Sequence, residues 1–166
     1  MLSTLTASSK YFEDFTPGEV YRHARGKTVT EMDNVMITNM VMNTAEGHFN
    51  EHLMKGSEIF GQRVVFGGIN ISMVIGLAAQ DTAANAVAEL GMDKIRLRHP
   101  VVHGDTLYAY SEVLSAEAAA DRDDAGVVTF RHWGVNQDDR LVFQGERRVL
   151  IKRRSHWGES SHWGEK

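Results

Sequence analysis

The stretch GHFNEH, residues 47–52, carries the side chains of this sequence best suited to chemistry. Read one way, His48, Glu51 and His52 form H-x-x-E-H, the inverted zinc-protease signature, in which two helical histidines hold Zn²⁺ and the glutamate serves as base. That chemistry needs both imidazoles on one face of a regular helix, and a third ligand. Gly47 and Asn50 disfavour a helix that starts early enough to include His48. Read another way, His48 is a lone acid–base group, since a free imidazole with a pKa of about 6.5 holds or gives a proton near neutrality. Local sequence alone favours a plainer view still, an ordinary surface histidine beside two solvated carboxylates, Glu46 and Glu51. Five residues before His48 stands Asn43. Its amide can accept one hydrogen bond from a water and donate another, but it cannot take the water's proton.

The elements that must position these residues are legible in outline. TPGEVY (16–21) is a turn leading into a strand that continues to Val29. Thr30 is an N-cap with Asp33 three residues on, opening a short helix that carries Val35, Ile37, Met40 and Val41. Residues 43–50 are irregular, Leu53 to Phe60 suits another short helix, and QRVVF (62–66) a short strand. Residues 67–90 are the longest helical candidate, uncharged before Asp81 and apolar on nearly every side at first, as a buried helix is. From Asp93 the pattern turns to strands, broken near Pro100 and Gly104-Asp105, with NQDDR as a hairpin turn before the last. The expected fold class is α+β: a single hot-dog domain over residues 10–154, its antiparallel sheet of five or six strands wrapped around a central helix at 68–84. An exposed sheet edge would remain, and pairing it with a second copy is the usual remedy, so a homodimer or larger homo-oligomer is expected.

Composition narrows the classes. The chain has 166 residues, 42% hydrophobic and 24% charged, which suits one globular domain with a proper core. A net charge of −4, and basic residues not interleaved with stacking aromatics, argue against nucleic acid as partner. The most apolar run, 64–79, is too short and too polar to span a bilayer, so no membrane partner is expected. There is no cysteine, hence no disulfide, thiolate nucleophile or thiolate metal site, which fits a reducing cytoplasm. The start, MLSTLTASSK, has neither a basic nor an apolar region of a secretory signal. SHWGE occurs at 155–159 and again at 161–165; residues 155–166 are read as a flexible tail or tag outside the fold.

A resemblance covers most of the chain, from Tyr11 to Arg154. YFEDFTPGEVYRHARGKTVTEMDN, MNTAEGHFNEH, FGQRVVFGGI, HPVVHGDTLYAYSEVL and GVNQDDRLVFQGERRVLI, in that order, resemble the MaoC-like hydratase family. The likeness is to members acting on branched or dicarboxylic acyl-CoA thioesters, such as mesaconyl-CoA and itaconyl-CoA hydratases. It implies the hot-dog fold and reversible addition of water to a 2-enoyl-CoA. In the broad family an Asp and a His five apart flank the catalytic water; here His48 takes the histidine position and Asn43 the other, as in the subgroup resembled. Gly67, in VVFGG, falls on the glycine whose backbone N–H faces the thioester oxygen. The implied catalytic set is therefore Asn43, His48 and Gly67, with no metal and no cofactor, coenzyme A being part of the acyl-CoA substrate. An N–H at the start of a buried helix suits the enolate charge that develops on that oxygen.

Two rivals stay open at this point. Many hot-dog proteins hydrolyse thioesters with an acidic residue near the central helix, where Asn70, Gln80 and Asp81 are the polar candidates. A non-catalytic acyl-CoA-binding subunit is the other, kept alive by Asn43. Asp105 reads as a cap of its own loop, His99 and His103 as loop histidines, and 146–154 as a strand with Arg147, Val149 and Ile151 on one face.

Overall fold

The structure, a computed structural model, describes residues 10–158. After a 3₁₀ turn at Phe12–Asp14 come strand β1 (Val20–Thr28), helix α1 (Glu31–Met40), a 3₁₀ turn at Glu46–His48 and the short helix α2 (Glu51–Lys55). Helix α3 (Gly67–Thr82) follows, then four strands: β2 (Ala86–Leu97), β3 (Thr106–Ala118), β4 (Ala125–Val135) and β5 (Leu141–Lys152). A one-turn helix, α4 (Arg154–Trp157), ends the described chain. The strands form one antiparallel sheet in the order β1-β3-β4-β5-β2, and α3 packs against β1, β3, β4 and β5. This is the expected α+β hot-dog fold.

Period-two burial produces the sheet's inner face. Leu107, Ala109, Ser111 and Val113 of β3, then Val128, Phe130 and His132 of β4, are buried while their neighbours are not. On β5 Arg147, Val149 and Ile151 alternate inward, as read from the sequence, and Arg147 is paired there with Glu89. α3 buries Ile69, Asn70, Val74 and Ala78 against these strands. It approaches so closely at Gly134 that a β-carbon there would sit 2.3 Å from a methyl of Val74. The Thr30–Asp33 capping box forms as predicted; Lys27 and the Thr30 amide hold the Asp33 carboxyl down at about 2.

Several local expectations are corrected. α3 stops at Thr82 and residues 86–90, the end of the helical candidate 67–90, are strand, because pairing with β5 outweighs helix propensity in that alanine-rich segment. The helix expected over 53–60 is only Glu51–Lys55, ending at Gly56. The strand expected at 62–66 reduces to an isolated bridge between Val64 and Val102. Residues 155–158, assigned to a flexible tail, begin docked: Trp157 Nε1 donates to Asp124 at 3.2 Å, and the Trp157 carbonyl accepts from Tyr11 Oη at 3.3 Å. The second SHWGE lies outside the described residues. No described helix is long and apolar enough to cross a membrane.

The far end of α3 is pinned by a buried polar chain. Asp81 accepts from His23 Nδ1 at 2.7 Å, His23 Nε2 accepts from Ser111 Oγ at 2.7 Å, and Ser111 Oγ accepts from His132 Nδ1 at 2.7 Å. Burial pushes His132 down to about 3, with Arg147 and His23 adding to the effect. Burial also lowers His23, against the opposing pull of Asp81. Folding thus disfavours protonation of both imidazoles, which the unfolded chain takes up below about pH 6.5. Stability should therefore fall as pH drops from about 7 towards 5, by up to roughly 1.4 kcal/mol per pH unit below about pH 6.5 for His132, which stays neutral over that range. Thermal melts across that range check this; a constant midpoint would contradict it.

Candidate active site

Four segments meet where α3 begins. Val64 donates from its amide to the Gly47 carbonyl at 3.1 Å, tying the loop that carries His48 to the chain entering α3. Val65 donates to the Val101 carbonyl at 2.8 Å, and Val64 bridges Val102, so the loop after β2 closes the other side. Beneath them lies the side chain of Asn34 from α1, fully buried. Its Nδ2 donates to the His48 carbonyl at 2.8 Å, and its Oδ1 accepts from the Phe66 amide at 3.0 Å.

His48 closes the 3₁₀ turn and is half-buried. Its Nδ1 lies 2.9 Å from the Val64 carbonyl oxygen, which can only accept, so Nδ1 carries a proton and donates it there. The ring packs against Phe66, with centroids 5.6 Å apart. A neutral imidazole in this tautomer has Nε2 as its proton-accepting atom.

Phe66 is the N-cap of α3, and Gly67 and Gly68 are its first residues. The amides of an opening helical turn have no carbonyl one turn back to bond, and the helix dipole adds positive potential there. The place thus suits a developing oxyanion. Neither glycine has the positive φ that a left-handed turn would require. A β-carbon on Gly68 would fall 2.5 Å from the Phe66 ring, the same ring that packs on His48.

Asn43 caps its own loop, its Oδ1 accepting from the Ala45 amide at 2.9 Å. Glu46 accepts from Asn50 Nδ2, and Glu51 is bound to Arg63 at 2.6 Å. His52 is exposed on α2, while His48 is in the separate 3₁₀ turn before it, so H-x-x-E-H does not lie on one continuous helix. Asp105 caps its loop as expected, accepting from the Val102 amide at 3.0 Å.

Sequence reasoning missed Asn34 and underrated His103. Asn34 sits among Ile37 and Thr38 on the inward face of α1, and an amide on the buried stripe of an amphipathic helix was the available signal. Of the polar residues on α3, Asp81 is committed to His23 and Gln80 to Arg25 at 3.0 Å, which removes the carboxylate a thioesterase reading would use. Beyond the helix start, a mainly apolar groove of about 470 Å³ runs between β1 and α3, lined by Arg25 and Lys27 of β1 and by Ile37, Ile69, Met73 and Leu77.

Comparison with known proteins gives the family. Residues 4–153 match the mesaconyl-CoA hydratase family. The chain is 36% identical over 126 residues to beta-methylmalyl-CoA dehydratase of Chloroflexus aurantiacus, covering 75% of this chain and 35% of that protein. It is 31% identical over 162 residues to mesaconyl-CoA hydratase of Haloarcula marismortui, covering 90% of this chain and 44% of that one. The chain thus spans less than half the length of these curated relatives. A MaoC domain protein from Chloroflexus aurantiacus superposes with a TM-score of 0.82 at 30% identity, covering 89% of this chain and 46% of that one. A Mycobacterium tuberculosis protein with a double hot-dog fold superposes at 0.79 and 22% identity, covering 95% of this chain and 47% of that one, which shows the fold alone. With the match running from the N-terminal segment through β5, and so across His48 and the start of α3, this chain belongs to the mesaconyl-CoA hydratase family.

Proposed function

We propose that this protein adds water reversibly to the double bond of a 2-enoyl-CoA thioester, including branched or dicarboxylic acyl groups. One observation carries the reading: the chain that fixes the His48 ring through Nδ1 runs directly into the amides opening a buried helix. A base and an oxyanion donor side by side are what conjugate hydration requires. The thioester oxygen accepts from the Gly67 N–H, and the Asn43 amide orients a water toward the β-carbon. His48 Nε2 takes a proton from that water as its oxygen bonds to the β-carbon, and negative charge moves onto the thioester oxygen. The imidazolium then returns the proton to the α-carbon as the enolate collapses. The reaction so drawn calls on no metal or redox cofactor, and the groove beside α3 takes the apolar part of the acyl group.

The test mixes the protein with crotonyl-, mesaconyl- and itaconyl-CoA and follows the enoyl absorbance. Loss of absorbance without free CoA is expected. Release of free thiol would mean a thioesterase, and no change with any of the three would favour a binding subunit.

The working unit in this reading is a homodimer in the cytoplasm. β2 is a sheet edge on which Val87, Leu90, Met92, Ile95 and Leu97 are 38% to 53% exposed, an apolar row that an isolated edge strand rarely shows to water. Light scattering should give twice the chain mass, and Leu90→Lys with Ile95→Lys should halve it. A wild-type monomer at micromolar concentration would count against the paired edge.

A further inference from the structure

Asn34 makes more contacts than any structural cap needs. Besides the bonds to the His48 carbonyl and the Phe66 amide, its Nδ2 lies 2.8 Å from His103 Nε2 and 3.3 Å from the Val64 carbonyl, and its Oδ1 lies 3.4 Å from the Thr38 hydroxyl. The orientation is forced. Turned over, the amide would set its oxygen against two carbonyls and its NH₂ against the Phe66 N–H. Because Nδ2 can only donate, His103 must accept at Nε2, neutral and protonated on Nδ1. Burial and the Arg63 guanidinium keep His103 below the usual histidine range, against the weaker pull of Glu31 on α1 and Glu51 on α2.

The partners of this one amide are the parts of the reaction. The His48 backbone carries the base. The Val64 carbonyl sets the tautomer and direction of the imidazole. The Phe66 amide belongs to the residue that caps α3 and precedes Gly67. We propose, resting on the hydratase reading above, that Asn34 and His103 form a positioning clamp that fixes the distance between the His48 base and the oxyanion donor. Neither touches the substrate. Asn34 joins the two, and His103 supplies the second acceptor that stops the amide from rotating away from the His48 carbonyl.

The clamp predicts a specific pattern. His103→Gln keeps an acceptor for Asn34 but cannot be protonated; His103→Leu keeps bulk without an acceptor. In His103→Leu, kcat should fall by about tenfold or more with KM little changed, since misplacing a reacting group by an ångström costs about 10²-fold. His103→Gln should restore kcat. Protonating His103 would remove the acceptor, so the acid limb of kcat/KM should be steeper in the wild type than in His103→Gln. Asn34→Asp, which loses both donated bonds, should resemble His103→Leu or worse. A second readout does not depend on turnover: ¹⁵N spectra of the His48 ring should show the Nδ1–H tautomer in the wild type and in His103→Gln, and a mixture in His103→Leu. If His103→Leu and His103→Gln agree in kcat, acid limb and tautomer, the clamp is overturned. If the wild type hydrates none of the enoyl-CoAs yet the tautomer responds as described, the clamp stands and the hydratase reading falls.

Discussion

Replacing His48 with alanine should reduce kcat for hydration by about 10²–10⁴-fold, the loss typical of a general acid–base group and equal to roughly 3–5 kcal/mol of barrier. The size of the effect follows from the single base: with Glu46 bound to Asn50 and Glu51 bound to Arg63, neither neighbouring carboxylate stands ready to replace it. KM should change less, because the groove and the oxyanion donor do not depend on the imidazole. The fold should survive, since His48 is half-buried and its place in the loop is held mainly through backbone groups. Asn43→Ala should cost less than His48→Ala, and part of that cost would come from the lost bond to Ala45 rather than from chemistry. Asn43→Asp keeps an acceptor for Ala45 and places a carboxylate beside the water, so it should fold and turn over. His52→Ala should be nearly silent. Full activity in His48→Ala, or its abolition in His52→Ala, would displace the mechanism from this loop.

The second large effect is expected at the backbone of Gly67, and proline is the substitution that isolates it. Gly67 is the first residue of α3, where proline fits the helix well because its missing N–H has no intrahelical acceptor in any case. Phe66 already has φ −57° and ψ 127°, the extended conformation that a residue before proline prefers. Gly67→Pro should therefore fold while deleting the proposed oxyanion donor, and kcat should fall by about 10²–10³-fold. Gly67→Ala is the necessary companion. Its β-carbon would come 2.4 Å from Leu97 Cδ1, but Leu97 is 53% exposed and its methyl end can turn away. The alanine variant keeps the N–H and should stay near wild type. Equal losses in both variants would mean that steric fit, not the hydrogen bond, is what Gly67 supplies.

Much of the fold was legible because its signals are local. Period-two alternation in β3, β4 and β5 is set by which side chains can be buried, and the uncharged run in α3 by the lack of any polar face to show to water. The Thr30–Asp33 box and the turn at 136–140 are likewise chemistry between residues three or four apart. His48, Asn43 and Gly67 could be singled out by residue type, spacing and resemblance. The strand at 86–90 could not be read, since the same alanine-rich residues make an acceptable helix until β5 offers its backbone to pair with.

What tertiary structure alone decided is which nitrogen of His48 carries the proton and what holds it there. That depends on a carbonyl at Val64, sixteen residues away, and on an amide at Asn34 bonded to His103, sixty-nine residues away. A hydrogen bond needs two groups within about 3 Å at a suitable angle, and no local pattern encodes which distant groups the folded chain will bring to that distance. The same holds for Asp81, which in sequence is a free carboxylate on the central helix and in the fold is spent on His23 from β1. The types of the candidate site residues were written in the sequence; their direction and availability follow from packing α1 and α3 against one sheet.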